Sequence, residues 1–156
     1  MNKSVFSGLR NASVFERGVF LQPGTYTLEI NKCLVKETRK SGDGFIVEFT
    51  VRQSTSDQHP IGTKASWFQA LKDKDVAFGA IKEFLYAVLG MRWPDDRERI
   101  LKEVDPVLEQ LIDSSLPTEQ GGQNSLAGKS VCVQTYMKKT AGKGLDFTVH
   151  RWAPAN

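Results

Sequence analysis

Two stretches of the sequence place basic residues beside a glycine-rich turn. The first is Arg39-Lys40-Ser41-Gly42-Asp43-Gly44 and the second is Lys138-Lys139-Thr140-Ala141-Gly142-Lys143-Gly144. Both lead into the same pattern of an apolar residue, an acid, Phe, Thr and Val, at 47–51 and 145–149. Glycines leave the backbone bare, and the lysine and arginine side chains beside them can follow a chain of phosphates. The pattern indicates phosphate-backbone binding; the alternative is that both tips are basic only for solubility.

Aromatic side chains could supply the second half of such a site, because every nucleobase has a π-face that stacks on a ring. Strand alternation selects the candidates. If Val131 and Val133 face inward on one predicted strand, Tyr136 faces outward. If Phe147 faces inward on the last predicted strand, Trp152 faces outward. We therefore expect Tyr136 and Trp152 to be exposed stacking residues.

Trp67 and Phe68 are neighbours on a third predicted strand, so they face opposite sides of it. Phe68 has the parity of Ser66 and Ala70, small residues that suit a crowded interior, and we expect Trp67 on the outer surface. With the basic residues added, the candidate nucleic-acid-binding side chains are Lys36, Arg39, Lys40, Arg52, Trp67, Tyr136, Lys138, Lys139, Lys143, Arg151 and Trp152.

Five strands and a helical block are predicted to position these side chains. Alternation of apolar and polar residues predicts strands at 25–35, 45–52, 63–71, 131–135 and 147–151. Apolar residues at helical spacing from Ala77 to Val88 predict an amphipathic helix, and a second helical stretch covers 95–114. Asp105-Pro106 should kink or split that second helix.

Three strands, a helical block and two strands predict a mainly β fold with a helical insert, a five-stranded antiparallel OB-fold barrel. The tight turn Gly42-Asp43-Gly44 leaves no room for the helix that a ferredoxin-like fold needs after its first strand. We expect an N-terminal arm at 1–22 and a single OB-fold domain at 23–153, with the insert at 74–115. In that barrel the basic turns join strands 1–2 and 4–5, and we expect them to meet on one side, next to the face of strands 2–3.

Composition narrows the class of protein. The chain has 156 residues and a net charge of +3, which fits one globular domain. No apolar stretch is long enough to span a membrane, and no signal-peptide pattern opens the chain. Two separated cysteines and two separated histidines predict neither a disulfide framework nor a zinc site, so we expect a cytoplasmic protein without metal or cofactor.

The helical block is acidic. Residues 95–113 contain seven Asp and Glu against three Lys and Arg, a net of −4, so the rest of the chain carries +7. Asp95, Asp96 and Glu98 could serve a metal-dependent nuclease, but acids at a helix start complement the helix dipole, and we expect no enzyme. The main alternative function is a protein-binding OB module that docks a host or phage protein through this acidic helix.

Several of these segments together resemble small phage-encoded single-stranded DNA-binding proteins. The resemblance covers about residues 15–90, through Gly24-Thr25-Tyr26-Thr27-Leu28-Glu29-Ile30, the first basic turn, the strand 45–51 and the helix ending 84–90. It implies an OB-fold protein that coats single-stranded DNA without sequence preference during phage DNA replication or recombination, in the host bacterial cytoplasm. Replication or recombination proteins are the implied partners, and the arm and the insert are candidate homodimer surfaces. The ending Trp152-Ala153-Pro154-Ala155-Asn156 lacks the acidic tail with which many such proteins recruit partners.

Overall fold

The computed structural model describes residues 18–38, 42–139 and 146–155. Five strands form one antiparallel sheet in the order β3-β2-β1-β4-β5. The strands are β1 (Gly24–Thr38), β2 (Gly42–Ser54), β3 (Lys64–Ala70), β4 (Ser130–Lys139) and β5 (Asp146–Pro154). The helices α1 (Lys74–Val88), α2 (Arg97–Arg99) and α3 (Leu108–Ser115) lie between β3 and β4. A mainly β fold with a helical insert is therefore confirmed, as an open sheet.

Along the central strand β1, the inward-facing residues change from even-numbered to odd-numbered positions. Ile30 pairs with Phe49, but Lys32 pairs with Glu48, so Asn31 is an extra residue in a β-bulge. The bulge makes Cys33 the next residue to face the interior, and Cys33 is buried opposite Val47. Burial also raises the pKa of the Cys33 thiol to about 12, which leaves it protonated and unreactive.

The interior holds a cluster of aromatic rings between the sheet and α1. Trp152 of β5 lies 4.9 Å from Trp67 of β3 and 5.0 Å from Phe84 of α1, measured between ring centroids. Only 4% of Trp67 and 7% of Trp152 is exposed. The expectation that these two tryptophans lie on the outer surface is therefore wrong. Their contact brings β3 and β5, the two edges of the sheet, close together.

The pairing of β5 with β4 explains the error for Trp152. Val133 is directly opposite Trp152 and Thr135 is directly opposite His150, so these four side chains share the inner face. Val149 and Arg151 then face outward, the reverse of the prediction. In β5, apolar residues occur at both odd and even positions, so alternation alone does not show which set of side chains is buried. The register with the neighbouring strand decides it.

His150 is packed against Trp152, with ring centroids 6.0 Å apart and planes 12° from parallel. Burial lowers the pKa of His150 below its ordinary value of 6.5, so the folded protein binds this proton less readily than the unfolded chain. We expect the His150 contribution to the free energy of unfolding to be constant above pH 7 and to be lost as the pH drops through 6.5.

Urea unfolding of the parent and of His150→Gln at several pH values measures this loss. The His150→Gln variant should lose less stability than the parent between pH 7 and pH 5. Equal losses in both proteins would show that His150 does not cause the dependence.

The described part of the predicted N-terminal arm, residues 18–22, contacts the edge of β3 through Val19 and ends at Gln22, whose carbonyl accepts from Tyr26 and Thr135. The Val19 N–H donates to the carbonyl of Lys64 at 3.0 Å, and the Ser66 N–H donates to the carbonyl of Val19 at 2.9 Å. Leu21 is buried in the main core. This short segment therefore satisfies backbone groups at the start of β3 and packs with the sheet.

Within the helical insert, side-chain contacts hold α1 against the segment that follows it. Asp73 caps α1 by accepting a hydrogen bond from the Val76 N–H. After α2, the chain forms a π-helical turn at Ile100–Val104 and a 3-10 turn at Asp105–Val107 before α3, so the predicted break at Asp105-Pro106 is confirmed. The Tyr86 hydroxyl donates to Asp105 at 2.6 Å across the two segments. Burial and this hydrogen bond raise the pKa of Tyr86.

The strand register shows where the strands of the two basic hairpins lie along β1. β4 pairs with β1 only from Gly24 to Glu29, and it then continues past the start of β1 to Lys139. The β1–β2 hairpin turns beyond Thr38, at the other end of β1. The turns themselves, residues 39–41 and 140–145, lie outside the described residues, so the expectation that the two tips meet on one side stays a prediction.

Candidate nucleic-acid interface

The outer face of β1, β2 and β3 carries a row of half-buried apolar side chains. Leu34 is directly opposite Ile46, and Ile46 is directly opposite Phe68, so the three residues form a line across the strands. Neighbouring strands are about 4.8 Å apart, which makes the line a continuous apolar strip. We call Leu34, Ile46 and Phe68 the apolar row.

Lysines lie on both sides of the apolar row. The register gives one flanking row of Lys32, Glu48 and Ser66, and another of Lys36, Gly44 and Ala70. Lys64 lies two residues before Ser66, at the start of β3, and is also on the outer face. All three lysines are exposed. Among the described residues the surface thus combines apolar contact area with three lysines and two acids, Glu48 and Glu29, of which Glu29 is paired with Arg52. We call it the outer face.

Gly44 accounts for the position of Phe68. A Cβ added at Gly44 would overlap the Phe68 ring, so the ring edge occupies the space that a side chain would fill. Gly44 is itself buried beneath this ring. Phe68 is the diagonal neighbour of Gly44, and its ring shields the glycine backbone, which is its structural role. The same arrangement lays a half-exposed ring along the sheet surface, where a base could stack on it.

A small cleft of about 280 Å³ lies beside the apolar row, on the side of Glu48 and Lys64. Its walls include Asn31, Glu48 and Lys64. The Asn31 amide donates to the Thr50 hydroxyl at 2.8 Å, and the Lys64 ammonium donates to the same oxygen at 2.9 Å. These bonds fix both polar side chains at the cleft, where they present donors to a ligand.

Two of the predicted cations are held by acids. Arg52 donates to Glu29 at 2.6 Å, and Arg151 lies 3.5 Å from Glu83 on α1. Glu83 also accepts a hydrogen bond from the Trp152 backbone N–H, so the Arg151 pair secures the β5 edge against α1. Both arginines therefore have structural partners, and they contribute less to an anion site than their charge alone predicts.

The other predicted residues are distributed over two regions. Lys36 belongs to the outer face described above. Tyr136, 38% exposed, and the exposed Lys138 lie on the part of β4 that extends past β1, beside Val149 of β5. Lys139 ends β4, and its side chain is outside the described residues, as are Arg39, Lys40 and Lys143. Tyr136 and Lys138 are thus brought together on the β4–β5 hairpin, away from the apolar row.

Sequence reasoning missed most of the outer face. Phe68 was assigned to the interior, and Lys32, Leu34, Ile46 and Lys64 were not selected. A signal did exist for Lys32, because the apolar positions of β1 change parity between Ile30 and Cys33. That change predicts a bulge and turns Lys32 and Lys36 to the same side.

The acids before α2 have a structural role. The Asp96 carboxylate accepts a hydrogen bond from the Arg92 backbone N–H at 2.8 Å and closes the loop that enters the helix. Within the described ranges, no group of three or more His, Cys, Asp and Glu side chains is arranged to hold a metal ion.

Among the described residues, no helix is both long enough and apolar enough to cross a membrane. The chain matches no protein-family model, and a search of curated proteins finds no match either.

Proposed function

We propose that this protein binds single-stranded DNA, without sequence preference and without catalysis, on the outer face of β1, β2 and β3. The observation that carries the proposal is the apolar row lying between exposed lysines on an open sheet face. Bases would stack on Phe68 and contact Leu34 and Ile46, while the lysines hold phosphates. This combination of rings and cations is what single-strand binding requires.

The fold is consistent with this role. We propose that the open sheet is an OB-type barrel, because its strand order β3-β2-β1-β4-β5 is the order expected of that fold. The contact of Trp67 with Trp152 across the two edges supports a strongly curled sheet. OB-folds bind oligonucleotides on the face of their second and third strands, which here carry Ile46 and Phe68.

A single strand fits this surface better than a duplex. In double-stranded DNA the bases are stacked on each other, and only their edges are accessible in the grooves. An apolar row gains nothing from base edges or phosphates, whereas unstacked bases bury their π-faces on it. The proposed biological role, coating single strands during phage DNA replication or recombination, follows from the sequence resemblance.

The salt dependence of binding tests the electrostatic part. Each phosphate contact to a single strand adds about −0.7 to the slope of log affinity against log salt. Replacing Lys32, Lys36 and Lys64 together by glutamine should therefore make the slope shallower by about 2. Anisotropy of a labelled oligo-dT at several salt concentrations measures this change.

A matched triple variant provides the control. Replacing the exposed Lys72, Lys74 and Lys102, which lie off the outer face, changes the net charge by the same amount. Its slope should stay close to that of the parent protein. If both triple variants change the slope equally, the lysines of the outer face do not form the site.

A further inference from the structure

A groove runs between α1 and the segment that leads into α3, and its apolar floor is continuous with the main core through Ile81 and Leu85. Its volume is about 330 Å³. The lining side chains are Phe78, Ile81, Lys82, Leu85, Asp105, Leu108, Glu109 and Ile112. Phe78 is 52% exposed at the groove margin, an unusual position for a large apolar residue. We call this feature the helix groove.

The two walls of the helix groove differ in charge. The wall formed by residues 103–115 contains Glu103, Asp105, Glu109 and Asp113, of which Asp105 and Glu109 line the groove and Glu103 is paired with Arg99 at 3.1 Å. Lys82 on the α1 wall is 3.8 Å from Asp105 and offsets that one acid. Glu109 and Asp113 are one turn apart, on the same side of α3, and both are exposed. An apolar floor therefore lies beside a wall of excess negative charge.

We propose that the helix groove binds a basic amphipathic helix of another protein. An amphipathic helix presents apolar residues at i, i+3 or i+4 and i+7, which is the pattern that fills an apolar groove between two helices. Lysines and arginines on the flanks of that helix would lie against Glu109 and Asp113. Complementary charge of this kind speeds association and fixes the orientation of the partner.

The charge of the wall argues against other occupants. A two-fold dimer uses the same patch on both copies, so a dimer through this groove would bring Glu109 and Asp113 of both copies into one interface. Like charges across an interface oppose binding. Nucleic acid and anionic lipid are repelled for the same reason. The proposal is independent of single-strand binding, because the helix groove and the outer face share no residue.

A designed peptide tests the proposal. The probe is a labelled amphipathic helix of about 18 residues, with leucine at the apolar positions and lysine and alanine elsewhere. A peptide of the same composition in scrambled order and a version with glutamate in place of lysine are the peptide controls. We expect the full-length protein to bind the first peptide at least about 10-fold more tightly than either control, by fluorescence anisotropy.

Variants of the protein test whether the peptide binds in the helix groove. Phe78→Ser should weaken binding about 10-fold or more, because Phe78 is the aromatic side chain of the groove lining and aromatic anchors dominate such interfaces. Val76→Ser is the matched control: Val76 is 63% exposed on the same helix and does not line the groove. Glu109→Lys should weaken binding and reduce its salt dependence, whereas Glu119→Lys, outside the groove, should not. Circular dichroism of each variant verifies that it is folded.

Three results would overturn the proposal. One is equal binding of the basic, scrambled and acidic peptides. Another is peptide binding that Phe78→Ser and Glu109→Lys leave unchanged. The third is sedimentation showing a dimer of the parent protein that Phe78→Ser dissociates, since the occupant would then be a second copy of this chain. Loss of oligo-dT binding in the lysine variants would not affect any of these measurements.

Discussion

Replacing Trp152 by alanine should lower the free energy of unfolding by about 3–5 kcal/mol, the range for removing a large aromatic side chain from a core. Trp152 contacts Phe49, Trp67 and Phe84 and is almost fully buried, so truncation leaves a cavity where β5, β3 and α1 meet. In a domain of this size the melting temperature should fall by roughly 10 °C. Urea and thermal unfolding measure both quantities.

Trp152→Phe is the matched variant. The indole Nε1 of Trp152 has no hydrogen-bond partner among the described residues, so phenylalanine gives up no polar contact and keeps much of the packing. Its loss of stability should be well under that of the alanine variant. Under conditions where both variants are folded, oligo-dT affinity should stay within about 2-fold of the parent, because Trp152 faces the interior. A large affinity loss without a stability loss would place Trp152 in the binding site after all.

Replacing Phe68 by alanine should weaken oligo-dT binding by about 1–3 kcal/mol, the contribution of one base stacked on an aromatic ring. This corresponds to roughly 5- to 150-fold in the dissociation constant. Phe68 is only half buried on the outer face, so the effect on stability should be smaller than that of Trp152→Ala. Anisotropy titration and urea unfolding of the same preparation separate the two effects.

Two further variants test whether the affinity loss comes from stacking on the Phe68 ring. Phe78→Ala removes another exposed phenylalanine, on α1 and away from the outer face, and should leave oligo-dT affinity unchanged. Gly44→Ala keeps Phe68 but introduces a Cβ into the space of its ring, which must turn away. We expect weaker oligo-dT binding in this variant too. If Phe68→Ala and Phe78→Ala lower the affinity equally, stacking on Phe68 is not the cause.

The elements of the fold follow from local patterns in the sequence. The alternation in 25–35 and 45–52 predicts β1 and β2, because a half-buried strand needs a period of two. The helical spacing from Ala77 to Val88 predicts α1, and Pro106 predicts the break in the segment after it, because proline cannot continue a regular helix. Each of these signals lies within a few residues of the feature that it specifies.

The positions of the site residues depend on pairing between distant strands, which local patterns do not contain. Trp152 is buried because it is opposite Val133, about twenty positions earlier in the chain. Phe68 lies on the outer face because its ring shields Gly44 of the neighbouring strand, whereas its own strand offers only the small residues Ser66 and Ala70.

Mapping the contact surface tests the central claim most directly. Amide chemical shifts of the labelled protein would be recorded with and without a short oligo-dT, at low salt. We expect the largest changes at 32–36, 44–48 and 64–68, the three strand segments that form the outer face, with little change along α1 and α3. Changes concentrated on the helical insert, or absent at saturating oligo-dT, would contradict the claim.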